Sequence, residues 1–357
     1  APKAAPGSLP STQPRQAPPR NLTPEDEAWN KTVVAAKKEG TVTLYTFSFT
    51  GDIGKAIAEA FQAKYGIKLE FVTGVGATLV ERVKSEQAGK IFVADTIDTS
   101  VVQVAMLKRD GMTQSTGLLL ALKEKEAWVT DPSADVEGHV VSMRSTVLTP
   151  YINTKVIEPK DAPRSLRDML APRWKRQIAM GNPLTVPVTV WAYLVHKRNG
   201  ALDDTYWQQL GQQEPRYGNS VRDLATFVGR AETAITFYLS DTAIAPLVKE
   251  GAPIQAIEVQ EGVILVPQSS GIAMVKGAPH PNAARVFINW ILTQEGQTVF
   301  AKAMGGMLSL RKDVVDTRPP ALKTEQKKVF MVDLAMQEET AKVQKDMTIS
   351  KLLGMEK

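Results

Sequence analysis

From residue 41 to residue 111 the hydrophobic positions switch repeatedly between two periods. TVTLYTF (41–47) sets Val42 and Leu44 between threonines and turns aromatic at its end, the pattern of a strand. Ile53, Ile57, Ala60, Phe61 and Lys64 then recur at helical spacing, and Gly66 stands where a helix end favours a left-handed residue. Ile67, Leu69 and Phe71 return to period two. TLVERVKSEQAG predicts a helix with Thr78 as N-cap, Glu81 completing a capping box and Gly89 as its stop. FVADTID predicts a buried strand, and SVVQVAMLKRDG a short helix ending at Gly111. Strands and helices alternating over short links predict an α/β fold, a parallel sheet covered by helices on both faces.

Residues 145–265 repeat the theme less regularly. Ser165 and Asp168 predict the start of a helix over SLRDML, QIAM a strand and VTVWAYLVHK a helix. TAITFYL and IQAIEV predict two strands separated by the helix TAIAPLVKEG, and GIAMV a further strand. PNAARVFINWILTQEGQTVFA places Ala284, Phe287, Ile288 and Ile291 on one helical face, and residues 322–357 read as a charged, amphipathic C-terminal helix or pair. No repeat of fixed period is present. Residues 1–24 differ from all of this: seven prolines and almost nothing to bury make a stiff, solvated segment. Such a segment suits a spacer that tethers an exported protein by a processed N-terminus, or a disordered tail; Ala1 in place of Met fits removal of a leader.

Composition narrows the function classes. A chain of 357 residues, 43% hydrophobic and 23% charged, is long and apolar enough for about two packed domains. A net charge of +5 spread along the chain does not by itself indicate nucleic acid. With no cysteine there is no disulfide, thiolate zinc site, iron–sulfur cluster or cysteine nucleophile. No uninterrupted apolar run reaches the roughly 18 residues of a membrane-spanning helix. His139, His196 and His280 lack metal-ligand spacing, and GxSxG, GxxxxGK[ST] and HExxH are absent. No metal or cofactor is expected.

The strand-to-helix junctions carry the chemistry. Ser48 and Thr50 follow the first strand; Gly74, Gly76 and Thr78 the second; Asp98, Thr99 and Ser100 the third. In a parallel sheet all three sit at the carboxyl edge, where ligands bind, and small hydroxyls and glycines there expose amide donors at positive helix ends. These are also the residue types that helix caps prefer. Three junctions in succession predict a binding edge.

EPKDAPRSLRDMLAPRWKRQIAMGNP and GAPHPNAARVFINWILTQEGQ, with KKEGTVTLYTFSF and KEGAPIQAIEVQEG, resemble in collinear order the periplasmic solute-binding proteins of ABC importers, in particular the ferric-iron-binding branch. The resemblance spans Trp29 to Val314. It implies a type II periplasmic-binding-protein fold, two α/β lobes joined by crossing strands with the ligand cleft between them. Its expected divisions are a tether at 1–27, a first lobe from 28–143 and 266–315, a second lobe from 144–265 and a C-terminal helical segment from 316–357. Crossings are expected near 142–148 and 260–268. It further implies a periplasmic monomer and an ABC permease that receives the ligand.

The resemblance breaks at the ligand. Iron binders of this branch use an adjacent Tyr-Tyr pair after the strand that here reads ETAITFYLSDT, where this chain has Asp241 and Thr242; Tyr238 precedes them by three residues. FSFTGD also lacks the His or Tyr that some supply. The remaining set suits a small organic anion, a phosphate ester, phosphonate or carboxylate. Arg144 and Ser145 in MRSTVLTPY, Arg222 after Ser220, Thr185 in NPLTVPV, Tyr238 and Asp241, with Glu232 as a weaker candidate, would join the hydroxyls of the first lobe. A ferric receptor, a sensor subunit and an enzyme on the same scaffold are the alternatives, the last lacking an evident acid–base pair.

Overall fold

A computed structural model describes residues 22–355 apart from Thr130, Ala134, Val136 and Gln326. The proline-rich stretch up to residue 21 lies outside the described residues. In the first lobe, α1 (Pro24–Glu39), β1 (Thr41–Thr46), α2 (Gly51–Tyr65), β2 (Lys68–Thr73), α3 (Gly76–Ala88), β3 (Thr96–Thr99), α4 (Val101–Arg109) and the short β4 (Thr113–Gln114) follow one another. Strands β2, β1 and β3 pair in parallel, in that order. Gly66, in the left-handed region at φ 72°, ends α2 as the sequence predicts.

The chain leaves this lobe on β5 (Val141–Asn153), all thirteen residues of which are buried. It builds β6 (Ile178–Gly181), α5 (Pro187–Arg198), α6 (Asp204–Gln212), β7 (Arg216–Gly218), α7 (Val221–Gly229), β8 (Ile235–Ser240), α8 (Asp241–Lys249) and β9 (Ile254–Ala256). It returns on β10 (Val263–Val275), which runs antiparallel to β5 with a register shift between Val266 and Ser270. The sheet order β2-β1-β3-β10-β5-β8-β6-β7 places the two crossing strands between the two lobes' parallel strands.

The two largest hydrophobic cores lie one in each lobe. Phe49, Phe61, Phe287, Trp290 and Phe300 pack in the first, with the Phe49 and Phe300 rings 4.9 Å apart. Phe49 thereby anchors the β1–α2 loop that carries Ser48 and Thr50. Tyr193, Tyr206, Trp207 and Phe237 pack in the second. The chain then adds α9 (Pro281–Leu292) and α10 (Gln294–Ala303) to the first lobe; the Gln297 amide donates to the Met143 carbonyl at 2.9 Å and ties α10 to the crossing strand.

Several local expectations change. The third helix starts at Gly76 with Val75 as N-cap, so Thr78 lies inside the first turn and caps nothing. A Cβ on Gly76 would stand 2.2 Å from the Thr99 hydroxyl oxygen, so glycine here permits the close approach of α3 to the β3–α4 junction. Of FVADTID only Thr96, Ile97 and Asp98 are in a strand, the four-residue β3, which ends at Thr99. SLRDML makes a single 3-10 turn at Arg167–Leu170, with the Asp168 carboxylate accepting from the Arg164 and Ser165 amides. The PNAARVFINWILTQEGQTVFA run breaks at Thr293, which caps α10, and a Cβ on Gly296 would collide with the Trp290 carbonyl at 2.1 Å. The C-terminal segment is helical only in part: β11 (Val329–Met331) extends the sheet beside β10, and α11 (Leu334–Lys345) and α12 (Thr348–Leu352) follow. Val332, Met336, Ile349 and Leu353 bury into the second core, so this segment belongs to the packing of that lobe.

Candidate ligand-binding site

A cleft of about 560 Å3 opens between the lobes. Phe47, Ser48, Thr50 and Ile53 line it from the β1–α2 junction, Val221, Arg222 and Thr226 from the start of α7, and Ser240, Thr242, Pro246 and Leu247 from the start of α8. Arg144, on crossing strand β5, lies between the two sets. The first turns of α2, α7 and α8 therefore all border one space, and the positive ends of three helix dipoles favour negative charge there. Neither Thr50 nor Ser240 caps its own helix with its side chain.

Arg144 dominates the electrostatics. It is 6% exposed, its guanidinium lies 5.7 Å from the Phe47 ring centre, and Nε and Nη1 are buried without a hydrogen-bond partner. Burial lowers its pKa, opposed by the charges of Asp98 and Asp241. The Ser48 hydroxyl is likewise buried, and it stands near enough to Asp98 to steady that carboxylate. Beside them Asp98 accepts from the Thr46 hydroxyl at 2.5 Å and the Ser48 amide at 3.1 Å with one oxygen, and its other oxygen is unpartnered. Burial pushes Asp98 up to about 6, against those hydrogen bonds and Arg144. Buried donors without acceptors are costly in a folded protein, and a fork of guanidinium N–H groups beside a hydroxyl matches an oxyanion.

Of the residues expected from the sequence, the structure brings Ser48, Thr50, Arg144 and Arg222 to this cleft. The others have different work. Gly74, Gly76 and Thr78 do not line the cleft. The Thr99 hydroxyl donates to the Gln103 side chain, and Ser100 caps α4. The Ser145 hydroxyl donates to the Pro267 carbonyl at 3.0 Å, joining the crossing strands. Ser220 caps α7 in a capping box with Asp223. Thr185 is exposed and its hydroxyl lies 3.4 Å from the Asn219 side-chain oxygen. Glu232 pairs with Arg216 at 2.9 Å.

Two corrections matter most. Tyr238 is buried in the second core, where its hydroxyl meets His196 Nε2 at 3.0 Å and donates to the Gly262 carbonyl at 3.1 Å. It alternates away from the cleft along β8. Asp241 is 1% exposed and faces the back of α8: one oxygen accepts from the Val147 and Thr242 amides, and the other lies 3.4 Å from Arg318 Nη1. Burial pushes its pKa up to about 6, opposed by Arg318 and Arg144. The neighbours Ser240 and Thr242 face the cleft instead, and the β8–α8 junction obeys the same strand-end rule that singled out Ser48 and Thr50. Phe47 and the apolar wall of Ile53, Pro246, Leu247 and Met304 carry no polar signal in the sequence, and Thr226 lies within α7 and not at a strand end. Among the described residues, no group of three or more His, Cys, Asp or Glu is placed to hold a metal ion.

The sequence profile of the family described as bacterial extracellular solute-binding protein matches residues 42–303, and the chain belongs to that family. Solved structures share the fold, among them the following. The substrate-binding protein of an ABC transporter from Agrobacterium tumefaciens superposes with a TM-score of 0.69 at 13% identity, over 88% of this chain and 94% of that one. AfuA from Actinobacillus pleuropneumoniae, with fructose 6-phosphate bound, gives 0.65 at 19% identity, over 88% and 98%. Iron-bound HitA from Pseudomonas aeruginosa gives 0.62 at 20% identity, over 88% and 99%. The architecture is thus the type II periplasmic-binding-protein fold, and the chain is an extracytoplasmic substrate-binding protein. The family is one of binding proteins and not an enzyme class; membership implies a small-molecule ligand and an ABC permease as the receiving partner.

Proposed function

We propose that this protein captures a small organic anion, a phosphate ester, phosphonate or carboxylate, and presents it chemically unchanged to its permease. The observation that carries the reading is the Arg144 guanidinium, buried at the cleft with Nε and Nη1 free of partners, with Ser48 lining the same space. Arg222 from the second lobe adds a second positive fork, and Thr50, Ser240 and Thr242 add hydroxyls at helix starts. The anionic head would engage Arg144 and Ser48; a polar or apolar body would lie along Thr226, Leu247 and Met304. Structural relatives solved with a sugar phosphate and with iron frame the choice. Asp241, aligned with the iron branch's tyrosine pair, turns away from the cleft, and an arginine-lined space disfavours a trivalent cation.

The lobes in this reading are 28–143 with 266–315 and 144–265, turning about β5 and β10. A ligand touching Ser48 on one side and Arg222 and Thr242 on the other favours closure, because only the closed form makes both sets of contacts. The molecule acts as a monomer, and the proline-rich N-terminal stretch holds it near the membrane.

Calorimetric titration with fructose 6-phosphate, a phosphonate, a dicarboxylate and ferric citrate tests this. Saturable binding of one anion, with a smaller radius of gyration on saturation, is expected. Tight uptake of ferric ion with no response to any anion would refute it.

A further inference from the structure

A second cavity lies on the opposite face of α8. Thr242, Pro246 and Leu247 of this helix wall the cleft, whereas Asp241, Ile244, Ala245 and Val248 wall the second space. It measures about 350 Å3 and is closed by Tyr151 of β5, Ile254 of β9, and Arg318 and Leu322 from the chain after α10. Gln255, Ala256 and Pro319 are shared with an open groove of about 750 Å3, so the cavity adjoins the surface. Its walls are largely aliphatic, which suits a compact apolar body.

One polar group in it is unaccounted for. Tyr151 is 1% exposed, and its hydroxyl has no hydrogen-bond partner. Burial and the nearby Asp241 charge hold that phenol in its neutral, donating form. Two charged groups of the cavity are already engaged: Arg318 binds Asp316 through Nε at 2.9 Å and Nη2 at 2.7 Å, and Asp241 through Nη1 at 3.4 Å, while Lys249, which also lines the cavity, is exposed to solvent. An anion would have to displace Asp241 or Asp316 from Arg318, and a cation would have to displace Arg318. An uncharged guest meets neither obstacle.

We propose that this cavity is a second ligand site, taking a compact uncharged molecule with an apolar ring or chain and one oxygen that pairs with the Tyr151 hydroxyl. It is independent of the anion in the cleft. The test titrates the whole protein with p-cresol and with toluene, of similar shape but lacking the oxygen, followed by ligand-observed NMR. Wild type should bind p-cresol about fivefold more tightly than toluene. Tyr151→Phe should remove that preference and keep toluene binding, Ala245→Phe should block both, and Arg144→Gln should change neither. Tyr151→Phe removes an unpaired group and should fold, so it decides the matter even where Ala245→Phe does not. Equal affinity for the two probes in wild type, no saturable binding of either, or loss of p-cresol binding in Arg144→Gln would overturn the proposal.

Discussion

Arg144 and Arg318 are both arginines buried beside an aspartate, yet they sit on opposite sides of α8 in opposite states. Arg318 is satisfied: Asp316 grips it in a bidentate pair and Asp241 stands behind. Arg144 has Asp98 and Asp241 near enough to act on it through charge, but two of its donor atoms have no acceptor. The first arrangement holds the structure together, and the second leaves binding capacity pointing into a cleft. Burial and residue type do not separate the two; only the count of satisfied atoms does.

The largest expected effect breaks the satisfied side. Asp241→Ala leaves the Val147 amide and Arg318 without that carboxylate and should destabilise by about 4 kcal/mol in urea unfolding. Anion affinity at a temperature where the variant stays folded should change only a few-fold. A loss of binding as large as that of an Arg144 variant would place Asp241 in the ligand site after all.

The pH dependence sets the neighbourhood of Arg144 against the second core, because buried groups in the two carry opposite signs. Asp98 at the cleft has its pKa raised from 3.8 to about 6, chiefly by burial. The folded state thus holds the proton more tightly, and this group's contribution falls by about 3 kcal/mol as pH rises from about 4 to about 6. His196 in the second core has its pKa lowered from 6.5 to about 4 by burial. Its contribution is present above pH 6.5 and is lost, by a similar amount, as pH falls towards 4. Urea unfolding of Asp98→Asn across this window should therefore show a curve rising more steeply with pH than wild type. His196→Gln should show one that rises less. Identical slopes for the two variants would contradict the assigned burial.

Arg144→Gln should weaken the anion by about 100-fold with little change in thermal midpoint, since few intramolecular bonds are lost. Tyr238→Phe, by contrast, should lower stability by about 1 kcal/mol through the Gly262 carbonyl and His196, and leave affinity unchanged. Thr242→Val is the smallest expected change, a few-fold loss of affinity measured by calorimetry.

Much of the framework was legible before any coordinates. The periodicity of residues 41–111 showed the parallel strands because each alternates against a helix of its own, and Gly66 marked a left-handed helix end that few other residues tolerate. The cleft was legible where a hydroxyl follows a strand, as at Ser48 and Thr50. It failed at Tyr238, because one step along a strand reverses the face, and at Asp241, because the first residue of a helix can point to either side of it. Ser220 and Ser100 misled for a simpler reason: the residue that caps a helix and the residue that binds at its start have the same chemistry, and only the hydrogen-bond partner distinguishes them. In the C-terminal segment the expected helix pair is present as α11 and α12, but the charged surface hid β11 and the burial of Val332, Met336 and Leu353, which complete the second core.

The most direct test of the central claim is equilibrium dialysis of a bacterial metabolite extract against wild type and Arg144→Gln, with retained species identified by mass spectrometry. The account predicts one or a few small anions enriched by wild type and lost from the variant. Equal retention by both proteins, or enrichment of cations or metal complexes in their place, would contradict it.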